Sequence, residues 1–206
     1  VSQARLKRMK YDESDPPQAG GAEGESLTVE QAIAKLNAQD YSLRYYAAWV
    51  VGRFRGKEPA AIAALIAALQ EESEQTKIGD YSLLRNAARA LGKLGDKQAL
   101  PALIRCLECA DYYVREAAAQ ALEMLGDRDS IPPLMKLLDG GVAGAVRVAG
   151  KSHLVQPYDS VIEALGTLRA TEAIPLIAPF LEHSVERVQY AAARAMYQLT
   201  GDRIYG

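Results

Sequence analysis

The sequence predicts an all-α fold, a right-handed α-solenoid built from helical hairpins. Three observations carry that reading. First, one phrase recurs down the chain: Leu43-Arg44-Tyr45-Tyr46-Ala47-Ala48, then Leu83-Leu84-Arg85-Asn86-Ala87-Ala88, then Val114-Arg115-Glu116-Ala117-Ala118-Ala119. It returns altered as Pro157-Tyr158-Asp159-Ser160-Val161-Ile162 and again as Val188-Gln189-Tyr190-Ala191-Ala192-Ala193. Second, the phrase starts at 43, 83, 114, 157 and 188, in steps of 40, 31, 43 and 31. The unit is therefore about thirty residues, the length of a helical hairpin repeat. Third, 49% of the 206 residues are hydrophobic, enough for one continuous stack in which each hairpin buries its face against the next.

The elements follow in order. Residues 1–26 read as a disordered segment, with Asp15-Pro16-Pro17, Gly20-Gly21 and few apolar residues to pack. The repeat domain is expected over 27–206, in about five repeats. Two steps exceed the unit by 9 and 12 residues, which places insertions near 73–81 and 140–156. Order begins at Leu27-Thr28-Val29-Glu30, where Thr28 is an N-cap with Gln31 in capping-box position. The first helix of each later pair reads Glu58–Leu69, Ala99–Leu107, Ile131–Leu138 and Ala173–Leu181. Pro59, Pro101, Pro132 and Pro175 fall in the first turns, where amides have no intrahelical acceptor and proline is tolerated. The second helix is the recurring phrase. It ends in Leu94-Gly95-Asp96 or Leu125-Gly126-Asp127, glycine being suited to the residue after the helix and aspartate to the turn. The paired alanines let helices approach while leucines fill between layers. This pattern resembles the HEAT repeat.

The second helices are expected to line the concave side. Their free face offers Tyr45, Trp49 and Arg53, then Arg85, Arg89 and Lys93, then Glu116, Gln120 and Glu123, then Asp159 and Glu163, and last Tyr190, Arg194 and Tyr197. Arginines beside aromatics suit a planar ligand with carboxylates, because a guanidinium forks onto a carboxylate and a ring covers a flat face. The same residue types dominate protein interfaces, so the residues leave open a groove for a partner protein.

Composition excludes several classes. Formal charge is −2, from 24 Lys and Arg against 26 Asp and Glu, a poor footprint for nucleic acid. No apolar run reaches the length of a membrane span. The basic Val1–Arg8 stretch has no apolar core behind it, so no secretory signal is expected. Two cysteines imply no disulfide framework, and a cytoplasmic protein fits. Cys106 and Cys109 form one C-x-x-C, but without a second ligand pair, so no metal is expected; His153 and His183 lie in separate repeats. Arg44 and Arg115 share a repeat slot and are expected to pair with Asp40 and Asp111, a ladder that ends where Tyr158 and Gln189 replace arginine. Asp111-Tyr112-Tyr113 and Tyr45-Tyr46 cluster rings at helix starts, most simply as packed tyrosines. The 140–158 stretch gathers Arg147, Lys151 and His153 on a small-residue loop, and His153 can exchange protons near neutral pH. No nucleophile elbow, phosphate loop or zinc-protease signature occurs.

Several strings go beyond the generic repeat. They include Arg44-Tyr45-Tyr46-Ala47-Ala48-Trp49 with Gly52-Arg53-Phe54-Arg55, Asp111-Tyr112-Tyr113-Val114-Arg115-Glu116, Gln156-Pro157-Tyr158 with Ile162-Glu163-Ala164-Leu165-Gly166, and Phe180-Leu181-Glu182-His183 followed by Val188–Ala195. Over roughly 27–206 the chain resembles the E subunits of the E/F-type phycobilin lyases. The resemblance implies a heterodimer with an F-type subunit, also of HEAT-like repeats. It implies attachment of phycocyanobilin, as substrate and with no cofactor, through a thioether to a cysteine of the phycocyanin α subunit, in the cyanobacterial cytoplasm during phycobilisome assembly. A related pair serves phycoerythrocyanin and also isomerises the bilin. The attacking thiol would belong to the acceptor, so the enzyme would act by positioning, with Asp159, Glu163 or His153 as proton donor. Tyr45, Trp49, Arg53, Arg85, Arg89, Tyr158, Tyr190, Arg194 and Tyr197 would form the bilin- or partner-binding groove. The family continues through further helices past Asp202-Arg203-Ile204-Tyr205-Gly206, so C-terminal repeats are expected to be missing. Competing readings are a scaffold or chaperone for phycobiliproteins and a protein that removes bilins.

Overall fold

The computed structural model describes residues 27–56, 58–70, 77 and 79–205. The segment 1–26 and most of the expected insertion near 73–81 lie outside the described residues. Ten helices are named here: α1 Val29–Lys35, α2 Tyr41–Phe54, α3 Pro59–Gln70, α4 Ser82–Leu94, α5 Leu100–Cys106, α6 Tyr112–Leu125, α7 Ile131–Lys136, α8 Tyr158–Thr167, α9 Ile174–Ile177 and α10 Glu186–Thr200. They pair in sequence as hairpins, α1 with α2 through α9 with α10, and the even-numbered helices stack on one another. Among the described residues no helix is long and apolar enough to cross a membrane.

Local chemistry fixes the helix ends. Thr28 caps α1 in a complete capping box, its Oγ1 accepting from the Gln31 amide while Gln31 Oε1 accepts from the Thr28 amide at 2.9 Å. Asp40 and Asp111 cap α2 and α6 by accepting from the Leu43 and Val114 amides. Gly95 and Gly126 stop α4 and α6 at positive φ, 72° and 68°, which a side chain would resist. Pro101, Pro132 and Pro175 sit in the first turns of α5, α7 and α9, and Pro59 opens α3. The expected helix over Ala173–Leu181 is instead divided. After Ile177 the chain tightens into a 3₁₀ stretch, Ala178–Glu182. Pro179 is the cause, because it lacks an amide proton and its ring collides with the carbonyl four residues earlier.

The layers close on small residues. Ala47, Ala48, Ala87, Ala88, Ala118, Ala119, Ala191 and Ala192 are fully buried. Between α2 and α4 a Cβ added at Gly52 would lie 2.9 Å from Ala90 Cα; between α4 and α6 one added at Gly92 would lie 2.6 Å from Ala121 Cα; between α8 and α10 one added at Gly166 would lie 2.9 Å from Ala195 Cα. One repeat slot thus sets three helix–helix approaches. In α6 that slot holds Glu123. Here α6 and α8 meet through hydrogen bonds instead, Thr167 Oγ1 donating to Glu123 at 2.8 Å and Gln120 Nε2 to Ser160 at 3.3 Å.

The insertion 140–156 leaves α7 through a single turn, Gly141–Gly144, and folds back as an antiparallel bridge between Arg147 and Leu154. Arg115 clamps it. Its guanidinium donates to the Cys109 carbonyl at 2.6 Å, the Ala110 carbonyl at 2.9 Å, the Val155 carbonyl at 2.7 Å and Gln156 Oε1 at 2.9 Å. The expected acid ladder is thereby corrected. The slot closes on main-chain carbonyls, as Arg44 also donates to the Leu36 carbonyl, while Asp111 serves as a cap and pairs with Arg85. Nor does the slot stop at Arg115: Gln189 Nε2 donates to the Leu181 carbonyl at 2.8 Å. An amide suffices because a carbonyl asks only for an N–H.

Candidate functional site

The clamp presses the insertion against the start of α6, and the contact gathers rings and charges from four layers. His153 stacks on Tyr112, centroids 4.2 Å apart at 16°, and meets Tyr113 edge-on at 5.7 Å. Tyr112 and Tyr113 are themselves edge to face at 5.2 Å. From α4 the Arg85 guanidinium lies 5.5 Å over the Tyr113 ring and 3.7 Å from the Asp111 carboxylate. From α8 and α10 come Asp159 and Arg187, paired at 3.5 Å, and Arg187 Nη2 donates to the Tyr112 hydroxyl at 3.3 Å. The result is a continuous belt from Arg85 through Tyr113, His153 and Tyr112 to Arg187 and Asp159.

Its electrostatics are specific. Burial pushes the Tyr112 hydroxyl well above the ordinary tyrosine value, and Asp159 and Glu116 push it further. Tyr112 therefore stays a neutral phenol whose oxygen accepts from Arg187 while its own proton remains to be given. His153 Nδ1 lies 2.8 Å from the Leu154 carbonyl. A carbonyl only accepts, so Nδ1 carries the proton and Nε2 is left for other work. Two atoms of the belt, Arg85 Nε and Asp159 Oδ1, are buried without a hydrogen-bond partner.

The structure sorts the sequence-derived candidates. Asp159 and His153 converge on Tyr112, although neither their spacing nor their repeat slots required it. Glu163 lies one turn beyond Asp159 on α8 and is half-buried. Tyr45, Trp49, Arg85 and Arg89 are half-buried, while Arg53, Tyr190, Arg194 and Tyr197 are exposed. Trp49 stacks on Tyr46 at 5.9 Å. Tyr158 is a correction. It is 2% exposed and packs on Phe180 at 5.3 Å, a core residue rather than a groove residue. Its slot is the one that elsewhere points back to the first helix, and a ring there has only the core to fill. Arg147 and Lys151, expected beside His153, are exposed; Arg147 donates to the Ser152 carbonyl.

Arg187 and the tyrosine pair were not among the candidates. A signal existed. The residue just before each phrase reads Ser42, Ser82, Tyr113, Gln156 and Arg187, small at first and large in the last three repeats, where the belt forms. His183 is buried and structural, its Nδ1 accepting from the Val185 amide and its Nε2 facing the Ala145 carbonyl. Cys106 and Cys109 are free thiols, and among the described residues no three or more His, Cys, Asp or Glu side chains are grouped to hold a metal. An open cleft of about 540 Å³ beside the clamp is lined by Ile104, Leu107, Cys109, Pro133 and Leu137 among others. Two of its cations are already engaged, Arg115 on carbonyls and Lys136 on Glu108 at 3.0 Å, and it gathers no aromatic side chain, so the belt is taken as the candidate site.

Comparison with known proteins agrees with the repeats. Residues 75–152 match the model for HEAT repeats, and residues 43–71 and 158–183 that for the PBS lyase HEAT-like repeat. The phycocyanobilin lyase subunit alpha of Nostoc sp. (strain PCC 7120) is 66% identical over 183 residues, covering 89% of this chain and 66% of that protein. The protein of the same description from Synechocystis sp. (strain PCC 6803) is 62% identical over 182 residues, covering 88% and 67%. The solved complex of CpcE and CpcF of phycocyanin lyase from Nostoc sp. PCC7120 contains a chain 63% identical, with a TM-score of 0.85 over 93% of this chain and 72% of that one. A designed armadillo repeat protein, 18% identical with a TM-score of 0.59, shares the fold alone. The chain spans about two thirds of the length of the curated relatives it matches.

Proposed function

Because this chain belongs to the family of phycocyanobilin lyase alpha subunits, we propose that it forms one half of a bilin-attaching enzyme. Membership follows from identities above 60% that a shared repeat pattern alone does not produce. The partner is an F-type subunit of the same repeat class. The substrate is phycocyanobilin and the acceptor a cysteine of the phycocyanin α subunit, in the cyanobacterial cytoplasm where phycobilisomes assemble.

The reaction explains the residues. The acceptor thiol adds across an exocyclic carbon–carbon double bond of the bilin. A C–S bond forms, the S–H bond breaks, and a proton ends on the bilin, with no net oxidation. The nucleophile comes with the acceptor, so the lyase needs none of its own. What it supplies is a fixed bilin conformation and a proton delivered in place. The single observation that supports this best is the convergence of His153 and Asp159 on a neutral Tyr112, beside stacked rings suited to a flat conjugated ligand. His153, Asp159 and Glu163 are the groups assigned to move the proton. Tyr45, Trp49, Arg53, Arg85, Arg89, Tyr190, Arg194 and Tyr197 form the groove that holds bilin or partner.

The test is reconstitution. This chain, a matching F-type subunit, phycocyanobilin and apo-phycocyanin α subunit are mixed, and covalent product is read by zinc-enhanced fluorescence on a denaturing gel. A band that needs both subunits is expected, with an absorbance that separates simple attachment from isomerisation. Protein binding without a covalent band, while a longer relative is active in parallel, would leave only the scaffold reading.

A further inference from the structure

We propose that Arg187 is the residue that recognises a bilin propionate, and so determines that this site takes the free acid of the tetrapyrrole. The inference rests on the lyase reading and adds a residue to it. Arg187 reaches back from the last hairpin to Tyr112, 75 residues away in sequence. Its two contacts hold it loosely. The pair to Asp159 Oδ2 is 3.5 Å and the bond to the Tyr112 hydroxyl 3.3 Å, whereas a charge-assisted bond of full strength closes to about 2.8 Å and an arginine facing a carboxylate usually forks onto both oxygens.

The exposures point the same way. The Arg187 side chain is 47% exposed and that of Asp159 20%, so the anion is set inside and the cation reaches outward. Asp159 and Tyr112 therefore aim the guanidinium, and the donors they leave over stay at the exposed end of a side chain that touches the ring cluster through Tyr112. An aimed, partly satisfied guanidinium at the edge of an aromatic cluster is a receptor for a carboxylate carried on a flat ligand. A bilin carries its propionates in that relation to its conjugated plane. Lysine would not replace arginine here, because its point charge cannot hold Asp159 and fork onto a ligand at once.

The experiment compares phycocyanobilin with its dimethyl ester, which keeps the chromophore and removes both charges. Each is titrated into the heterodimer and read by the bilin absorbance change. The wild-type complex is expected to prefer the acid by about tenfold or more, R187M to lose at least most of that preference, and R187K to recover part of it, with melting temperatures matched. A wild-type complex that binds acid and ester equally, or an R187M complex that keeps the wild-type preference, overturns the assignment and leaves the lyase reading standing. A wild-type complex that binds neither form overturns both.

Discussion

Cys106 and Arg115 show how much a single side chain in this array is committed to structure. Cys106 is 5% exposed, and burial, followed by the neighbouring Cys109, raises its thiol from 9.0 to about 12. A thiol so raised is protonated at physiological pH and is no nucleophile. The same displacement is a stability term. The unfolded chain releases this proton near pH 9 and the folded chain near 12, so the stabilisation is complete below pH 9 and is lost as pH rises from 9 to 12. Urea unfolding of the wild type minus Cys106→Ala is expected to fall by about 2–3 kcal/mol between pH 9 and pH 11. A flat difference would mean that the thiol is not desolvated in solution. Arg115 is committed differently, through four hydrogen bonds that span the insertion. Arg115→Ala is expected to cost about 2–4 kcal/mol and to open the 146–155 loop to limited proteolysis. It should also slow bilin attachment, because His153 rides on that loop. Unchanged cleavage kinetics would show that the stacking of His153 on Tyr112 holds the loop by itself.

At the scale of the element, one slot separates a close seam from a polar one. Gly92 faces Ala121 so closely that an added methyl would lie 2.6 Å from backbone, and α4 and α6 would have to part. Gly92→Ala is expected to destabilise by about 1–3 kcal/mol, despite the roughly 1 kcal/mol gain in helix propensity that alanine brings. Glu123→Ala, in the same slot of α6, removes only the Thr167 bond and should stay within about 1 kcal/mol. Equal losses in thermal unfolding would refute the distinction between the close seam and the polar one. The elements were largely legible in the sequence because their determinants are local. The capping box at Thr28 and Gln31, the glycine stops and the first-turn prolines are each decided within a few residues. The miss at Pro179 was local too, since apolar periodicity outweighed a proline that breaks the hydrogen-bond ladder. The site was legible only in part. Asp159 and His153 stood out by slot and loop, but their meeting at Tyr112 depends on how the insertion folds back, and periodicity carries no record of that. Arg187 was missed because its partner lies 75 residues away, and Tyr158 was misplaced because the rule for its slot was not yet known.

Across the whole molecule, exposed apolar residues are scattered from Phe54 to Ile204, and the last long helix adds two exposed tyrosines beside an arginine, a patch whose role in partner docking can be tested. The net charge is −2, so no strong field steers association and contact chemistry must supply the affinity. Tyr190 and Tyr197 on α10 are 52% and 46% exposed, seven residues apart and so on one helix face, with exposed Arg194 between them. Two tyrosines and an arginine in a row are the side chains most enriched at interface hot spots. They also lie on the helix that carries Arg187, so a partner seated on α10 would touch both faces of the catalytic question, assembly and bilin recognition. Replacing Tyr190 and Tyr197 together by serine is expected to weaken F-type subunit binding by roughly 10- to 100-fold, a combined loss of about 1.4–2.7 kcal/mol. The melting temperature of the chain alone should not move, because neither ring is buried in it. Bilin attachment at limiting partner should fall with affinity and recover when the partner is raised to saturation. Recovery would separate docking from chemistry; a deficit that persists at saturation would instead place these rings on the bilin, and undiminished binding would remove α10 from the interface.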